Sequence, residues 1–397
     1  MSWFRFLSAD RLPGVLILGS LIAGLAAVNS PLRPFYDYAH HTTVLLGIGA
    51  LTSEEPLILW INDGLMVFFF LLVGMEIKRD LLEGHLSTFS QAALPAYAAV
   101  GGMAIPALIY AAITWEDPVA LRGWAIPTAT DIVLAVSVLA LLGSRVPAAL
   151  RAFLTALAIF DDIGAVLIIG LFYGKGVALV PLAIAGTALF GLWLLNRFAV
   201  PRVWPYVTVG GTLWAAMLNS GFEAALAGVL IGIAIPLRVP GHTPLRRVER
   251  EVEPWVSFVV IPLFAFFNSG VTVGASAFDS LLAPESLGII LGLFLGKPIG
   301  IFATTWAAVW LGAGRLPKGV TWTQVYGAAA VAGIGFTMSL FVAALAFPDP
   351  QMLASAKLAV LTASVLSASA GLVVLHVATR PCASMPAVSP QPQKRLP

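Results

Sequence analysis

The sequence predicts an all-α polytopic membrane protein with twelve transmembrane helices, on three observations. Of its 397 residues, 59% are hydrophobic and only 11% are charged, whereas a soluble globular domain carries about 25% charged residues. Most of the chain falls into apolar runs long enough to cross a bilayer, which takes about 20 residues per helix. Lys and Arg are distributed unevenly between alternate loops, as they are in oriented membrane spans. The same figures exclude other classes. A net charge of +2 is too small to suggest a nucleic-acid partner, and the single cysteine, Cys382, excludes an internal disulfide framework.

The first apolar run, Leu12 to Val28, follows Arg5 and Arg11. It exceeds the roughly 7–15 apolar residues of a secretory signal and has no small-x-small cleavage site before Asn29, so it reads as a retained helix. Hydropathy, turn residues and charges then place spans near 12–29, 57–77, 91–113, 123–143, 148–173 and 177–196. A second set lies near 204–220, 222–237, 255–270, 287–311, 325–347 and 353–378, with the 204–237 pair tightly joined at Asn219–Gly221. An even count puts both termini on one side. Nearly all of the 22 Lys and Arg fall on that side; only Arg33, Arg122, Lys175 and Lys357 fall on the other, and Lys297 lies within a span. The bias predicts cytoplasmic termini.

The longest outer loop, Ser30 to Pro56, contains HTTVLLGIGALTSEE. Its apolar part is too short to span, and Gly47 and Gly49 suit a turn. A β-hairpin over about 42–56 and an ordinary ordered loop both fit; a hairpin would offer a strand edge to a second copy. Residues 1–380 read as a single transmembrane domain. The Pro- and Ser-rich segment 381–397 reads as a disordered cytoplasmic tail.

Two acids interrupt the stretch AIFDDIGAVLIIG. About 1.5 Å of rise per residue from Arg151 and Lys175 leaves Asp161 and Asp162 some 15–20 Å from either surface. Asp131 in AIPTATDIVLAV and Lys297 in LGLFLGKPIGIF are equally deep. Each such charge costs roughly 2.5–3.5 kcal/mol on insertion scales. A buried pair that only locks helices together is one reading, but replacing such a pair by apolar residues is often neutral or stabilising. Acids inside a membrane mark ion and proton pathways, and that is the reading favoured here. Neighbouring helix positions point about 100° apart, so Asp161 and Asp162 take different roles. One faces a cavity, while the other meets a neighbouring helix where Lys297 is the deep base available.

Two spans carry breakers near their centres. In the fourth, IPTATD, Pro127 removes a backbone donor; in the eleventh, AGIGFTMS, Gly333 and Gly335 permit an unwound backbone. Spans three to five and ten to twelve then read as inverted-topology copies, each with its discontinuous helix in the middle. Interrupted helices at matching places in two halves point to a transporter's binding site. Facing helix N-termini are partly positive and facing C-termini partly negative; Asp131 has the sign to neutralise the first and Lys297 the second. Close helix packing alone is the other account of the glycines.

The segments WINDGLMVFFFLLVGMEIKRDLLEG, GWAIPTATDIVLAVSVLALLGSRVP, ALAIFDDIGAVLIIGLFYG, LGKPIGI and GIGFTMS resemble the NhaA-type sodium/proton antiporters over nearly the full chain. The resemblance implies electrogenic exchange of sodium or lithium for protons across the bacterial inner membrane, serving pH and sodium homeostasis, with more protons than sodium moved per cycle. It implies a homodimer held partly by the outer hairpin, in contact with membrane lipid and needing no cofactor. Asp161 and Asp162 match the family's paired acids that take the transported sodium, with Asp162 as the principal cation and proton site. Thr130 and Asp131 match positions lining that site, and Asp131 and Lys297 match the residues that compensate the crossed helices, with Lys297 also pairing with Asp161. Glu76, Arg79 and Glu249 match a cytoplasmic pH-response cluster, to which Arg250 and Glu253 are adjoining candidates, and Asp63 matches an acid on the second span. The chain departs from the best-known members where they carry histidine, holding Glu223, Arg250 and Glu253 instead.

The implied mechanism is competition. Sodium takes oxygen ligands from carboxylates, the Thr130 hydroxyl and carbonyls freed where helices unwind, and burial of an acid favours the protonated form that competes with it. A proton-coupled carrier of organic solutes would want a larger site with aromatic or hydrogen-bonding groups. An intramembrane aspartyl protease would want its second acid in a GxGD setting, which FDDIG does not supply.

Overall fold

The computed structural model describes residues 12–48, 51–84, 89–174, 176, 178–274 and 279–379. The expected tail, 381–397, lies outside the described residues, as do Arg5, Arg11, Gly49 and Lys175. Helix α1 (Leu12–Val28) is followed by a short helix α2 (Arg33–His41) that turns 108° away from it. Strands β1 (Thr43–Ile48) and β2 (Leu51–Pro56) then pair antiparallel, from Thr43 opposite Pro56 to Ile48 opposite Leu51. The remaining elements are helices. They are α3 (Leu57–Leu82), α4 (Phe89–Ile113), α5 (Pro118–Thr128), α6 (Ile132–Leu141), α7 (Ala148–Phe172) and α8 (Leu179–Arg197). After them come α9 (Trp204–Leu218), α10 (Leu226–Ala234), α11 (Pro244–Asn268), α12 (Pro284–Trp310), α13 (Trp322–Ala332), α14 (Phe336–Ala346) and α15 (Pro350–Ala378).

Seven of these, α3, α4, α7, α8, α11, α12 and α15, are each long and apolar enough to cross a membrane. Three bent pairs pass the same test jointly: α1 with α2, α5 with α6 and α13 with α14. The chain is therefore a polytopic helical membrane protein. The spans expected at 204–220 and 222–237 are shorter as helices, with 15 residues in α9 and nine in α10. Five of the nine in α10 are buried, and backbone covered by protein need not be one continuous membrane-length helix. In the other direction, α11 starts ahead of its expected apolar run because the amphipathic stretch PLRRVEREVEPW continues the same helix.

Two wide turns follow from proline. The π-helical stretches Val256–Val260 and Gly292–Gly296 close with Ile261 N–H donating to Val256 O and Lys297 N–H donating to Gly292 O. In both, the next residue is a proline, Pro262 or Pro298. A proline ring clashes with the carbonyl four residues back, and a π turn moves that carbonyl aside. The second of these turns sets the direction in which Lys297 leaves α12. That helix crosses α4 where Gly101 and Gly300 touch; a Cβ on either would collide with the other's backbone. The contact brings α12 close to the broken pair α5–α6.

Candidate functional site

The site begins with two interruptions of similar shape. Helix α5 narrows to a 3₁₀ turn over Arg122–Thr128, around Pro127, and the chain is extended at Ala129 and Asp131 before α6 starts. The two helices meet at 46°. Helix α13 ends at Gly333 and α14 starts after Gly335, with an angle of 44° between them. Neither glycine takes a positive φ, so conformational freedom is not why they are there. A Cβ on Gly333 would stand 2.5 Å from Leu293 O and 2.7 Å from Ser367 Oγ. Space, rather than torsion, requires glycine at this break.

The two interruptions lie against each other. Asp131 N–H donates to Ile334 O at 2.7 Å. One Asp131 carboxylate oxygen accepts from Leu134 N–H at 3.0 Å, capping α6. The other accepts from Thr337 N–H at 3.1 Å and from the Thr337 hydroxyl at 2.6 Å, capping α14. A single carboxylate thus closes two helix N-termini, each partly positive. Both of its oxygens are engaged in that task. Of the residues expected to line an ion, Asp131 is the one committed to helix ends.

Lys297, fully buried, occupies the opposite pole. Its ammonium has three N–H groups and three acceptors: Thr128 O at 2.6 Å, Thr130 Oγ1 at 2.5 Å and Asp161 Oδ2 at 2.7 Å. The first is the last carbonyl of α5. The C-terminal carbonyl of α13, Ala332 O, lies 2.9 Å from the Thr130 hydroxyl, whose oxygen also lies 2.5 Å from Asp161 Oδ2. Thr130 therefore couples one helix end to the ion pair. Every hydrogen on Lys297 is used.

Asp161 is buried and makes all these contacts through Oδ2; its Oδ1 has no partner among the described residues. Asp162, 4% exposed, lies in the fields of Asp161, Glu76 and Asp131, and of Lys297. Its carboxylate makes no hydrogen bond or ion pair among the described residues. The structure thus brings Thr130, Asp131, Asp161, Asp162 and Lys297 together and divides the two acids: one locked to a base, one unpaired. Among the described residues no group of three His, Cys, Asp or Glu converges as a chelating metal site.

A second set of charges lies at the end of α3. Arg79 pairs with Glu249 of α11 and, at 3.1 Å, with Asp80. Lys78 donates to Ile233 O and Ile235 O, closing the last turn of α10. Glu83 is held between Arg238 and Arg246. Burial works to raise the Glu83 pKa, but the two guanidiniums outweigh it and hold the carboxyl below the usual range. Glu76 lies in the fields of Arg79, Asp80 and Glu253. Arg250 and Glu253 are exposed and form no ion pair among the described residues. Asp63 sits in the π-helical stretch Trp60–Leu65 of α3, where its carbonyl accepts from Trp214 Nε1 at 3.3 Å.

Sequence reasoning missed Thr337, Asp80, Glu83 and the buried amide pair in which Asn268 Nδ2 donates to Asn62 Oδ1 at 2.9 Å. Thr337 had a signal, since it stands two residues after Gly335 in GIGFTMS, at the second N–H of the helix that restarts there. Nothing local marks Asn62 and Asn268, which are brought together across 206 residues.

A membrane bundle that gathers buried carboxylates and one ammonium around the facing ends of broken helices is a membrane transporter. A family model described as Na+/H+ antiporter 1 matches residues 4–375, and the chain belongs to that family, whose members are transporters and not enzymes. It is 48% identical to the Na(+)/H(+) antiporter NhaA of Rhodospirillum rubrum, over 94% of this chain and 97% of that one. It is 47% identical to Na(+)/H(+) antiporter NhaA 2 of Saccharophagus degradans over 91% and 96% of the two chains. With the Na(+)/H(+) antiporter NhaA of Shewanella oneidensis the identity is 48% over 92% and 95%.

Proposed function

We propose that this chain exchanges sodium or lithium for protons across the bacterial inner membrane, electrogenically, with both ions competing for Asp162 and the free oxygen of Asp161. The observation that carries this reading is Asp162: buried, surrounded by other acids, and without a partner. A bare carboxylate there is costly, and either a proton or a hard cation relieves it. The Thr130 hydroxyl and carbonyls at the helix ends supply further oxygens of the kind sodium takes. Asp131 and Lys297 act by compensating the helix ends. Family membership and the likeness to named antiporters support the same substrates.

The reading includes twelve crossings with both termini cytoplasmic, the short helices α9 and α10 each counted as one. It treats α4 to α7 and α12 to α15 as inverted copies, consistent with their similar breaks. It includes a homodimer that uses the β1–β2 hairpin, whose strand edges offer unpaired backbone groups. Loaded with either ion the site changes sides; empty and charged, it does not. The test is a sodium pulse given to everted vesicles carrying the protein, over a pH series. Proton release that saturates with sodium and depends on Asp162 supports the proposal; sodium-independent flux, or none, overturns it.

A further inference from the structure

The break between α13 and α14 leaves a donor and an acceptor beside the same glycine with no bond made. Ser367 of α15 is fully buried, and its hydroxyl has no hydrogen-bond partner among the described residues. The acceptor is Leu293 O. In an α-helix it would take the N–H of Lys297, but that group donates to Gly292 O. In a π-helix it would take the N–H of residue 298, which is Pro298 and has none. Both orphans stand over the same atom. A Cβ built on Gly333 would lie 2.5 Å from Leu293 O and 2.7 Å from Ser367 Oγ, so both crowd the side of Gly333 where a side chain would stand.

We propose that Ser367 is a positioning residue for the change of sides: its hydroxyl donates to Leu293 O in the alternate arrangement of the α13–α14 break and is held off it in this one. The inference rests on the reading of the chain as a carrier. Its physical basis is the cost of leaving a buried donor and a buried acceptor unsatisfied. That cost raises this arrangement relative to one in which Gly333 withdraws, and so narrows the gap between the two. Leu293 lies one turn before Lys297 on α12, so the wide turn that orphans the carbonyl also aims the ammonium at Asp161. Movement at the break and release of the ion pair then involve the same segment. Ser364, one turn earlier on the same face of α15, is also buried with an unpartnered hydroxyl.

The test uses the full chain with Ser367→Ala, Pro298→Ala and both together. Turnover and sodium KM are measured in proteoliposomes, and Tm is measured in detergent. Ser367→Ala removes an orphan from this arrangement, so Tm rises or holds while turnover falls about tenfold, with sodium KM within about twofold. Pro298→Ala gives Leu293 O a donor inside α12, so it slows turnover in the same direction. The second change then adds little to the first, where independent sites would add in full. Wild-type turnover in Ser367→Ala, a clear fall in its Tm, or simple additivity of the two changes overturns the proposal. Should the wild-type chain move no sodium, the functional reading fails by itself, and the Tm of Ser367→Ala, expected to rise or hold, still tests the proposal.

Discussion

Lys297 and Asp161 meet at full burial, whereas Glu83 meets Arg238 and Arg246 with those arginines 71% and 49% exposed. The two clusters look alike as ion pairs and differ in what their loss costs. An exposed pair is worth about 0–1 kcal/mol, because water and salt replace much of it. Breaking a buried pair costs roughly 3–5 kcal/mol, because the surviving charge has nothing to replace its partner. The deep cluster also divides its acids: Asp161 carries structural load, and Asp162 carries none. If Asp162 is the main ion site, as proposed, transport can be lost at that position without the loss of stability expected at Asp161.

The largest effect expected is Asp162→Asn. The amide cannot alternate between charged and protonated forms, so exchange is lost in vesicles. Because the side chain makes no bond in the fold, Tm of the purified protein stays within a degree or two. A variant that loses transport only by unfolding would erase the contrast with Asp161. Next comes Asp161→Asn, which leaves the Lys297 ammonium without its counter-ion and lowers stability by roughly 3–5 kcal/mol. Lys297→Ala does similar damage. The double variant is less unstable than the sum of the two, and a double-mutant cycle in thermal unfolding that adds simply would deny the pairing.

Smaller effects are expected at the end of α3. Glu83→Gln has a small effect on Tm, and a smaller one as salt rises, because water and salt screen the exposed arginines beside it. The Glu83 carboxyl is held below its usual range, so its stabilising contribution is complete above the ordinary carboxylate pKa. It is lost only as pH falls through the lowered value. The latch is thus intact across the neutral range, and a near-neutral pH response of transport must originate elsewhere. Smallest of all is Glu253→Gln, exposed and without an ion pair, which moves the midpoint of the activity–pH curve by less than about one unit. A larger shift from that change alone would place the pH response at the α3–α11 end.

The sequence announced the deep cluster because charge inside apolar runs is conspicuous. Asp131, Asp161, Asp162 and Lys297 each break a hydropathy pattern, and the signs of Asp131 and Lys297 match the helix ends they face. Pro127 lies in the 3₁₀ turn that precedes one bend. Gly333 marked the other for a different reason from the one expected: no positive φ is needed, but Leu293 O and Ser367 leave no room for a side chain. That crowding involves α12, α13 and α15 at once and has no local trace. Helices α9 and α10 were harder still, since hydropathy reports apolar length but not where protein rather than lipid covers the backbone.

The central claim is that sodium and protons compete for the same carboxylates, and the most direct test is the sodium KM of transport as a function of pH in proteoliposomes. Competition by one proton raises the KM about tenfold for each unit of pH lowered below the site's pKa, with turnover at saturating sodium nearly constant. A sodium KM that stays flat while turnover falls with acid would place the proton on a different group and contradict the account.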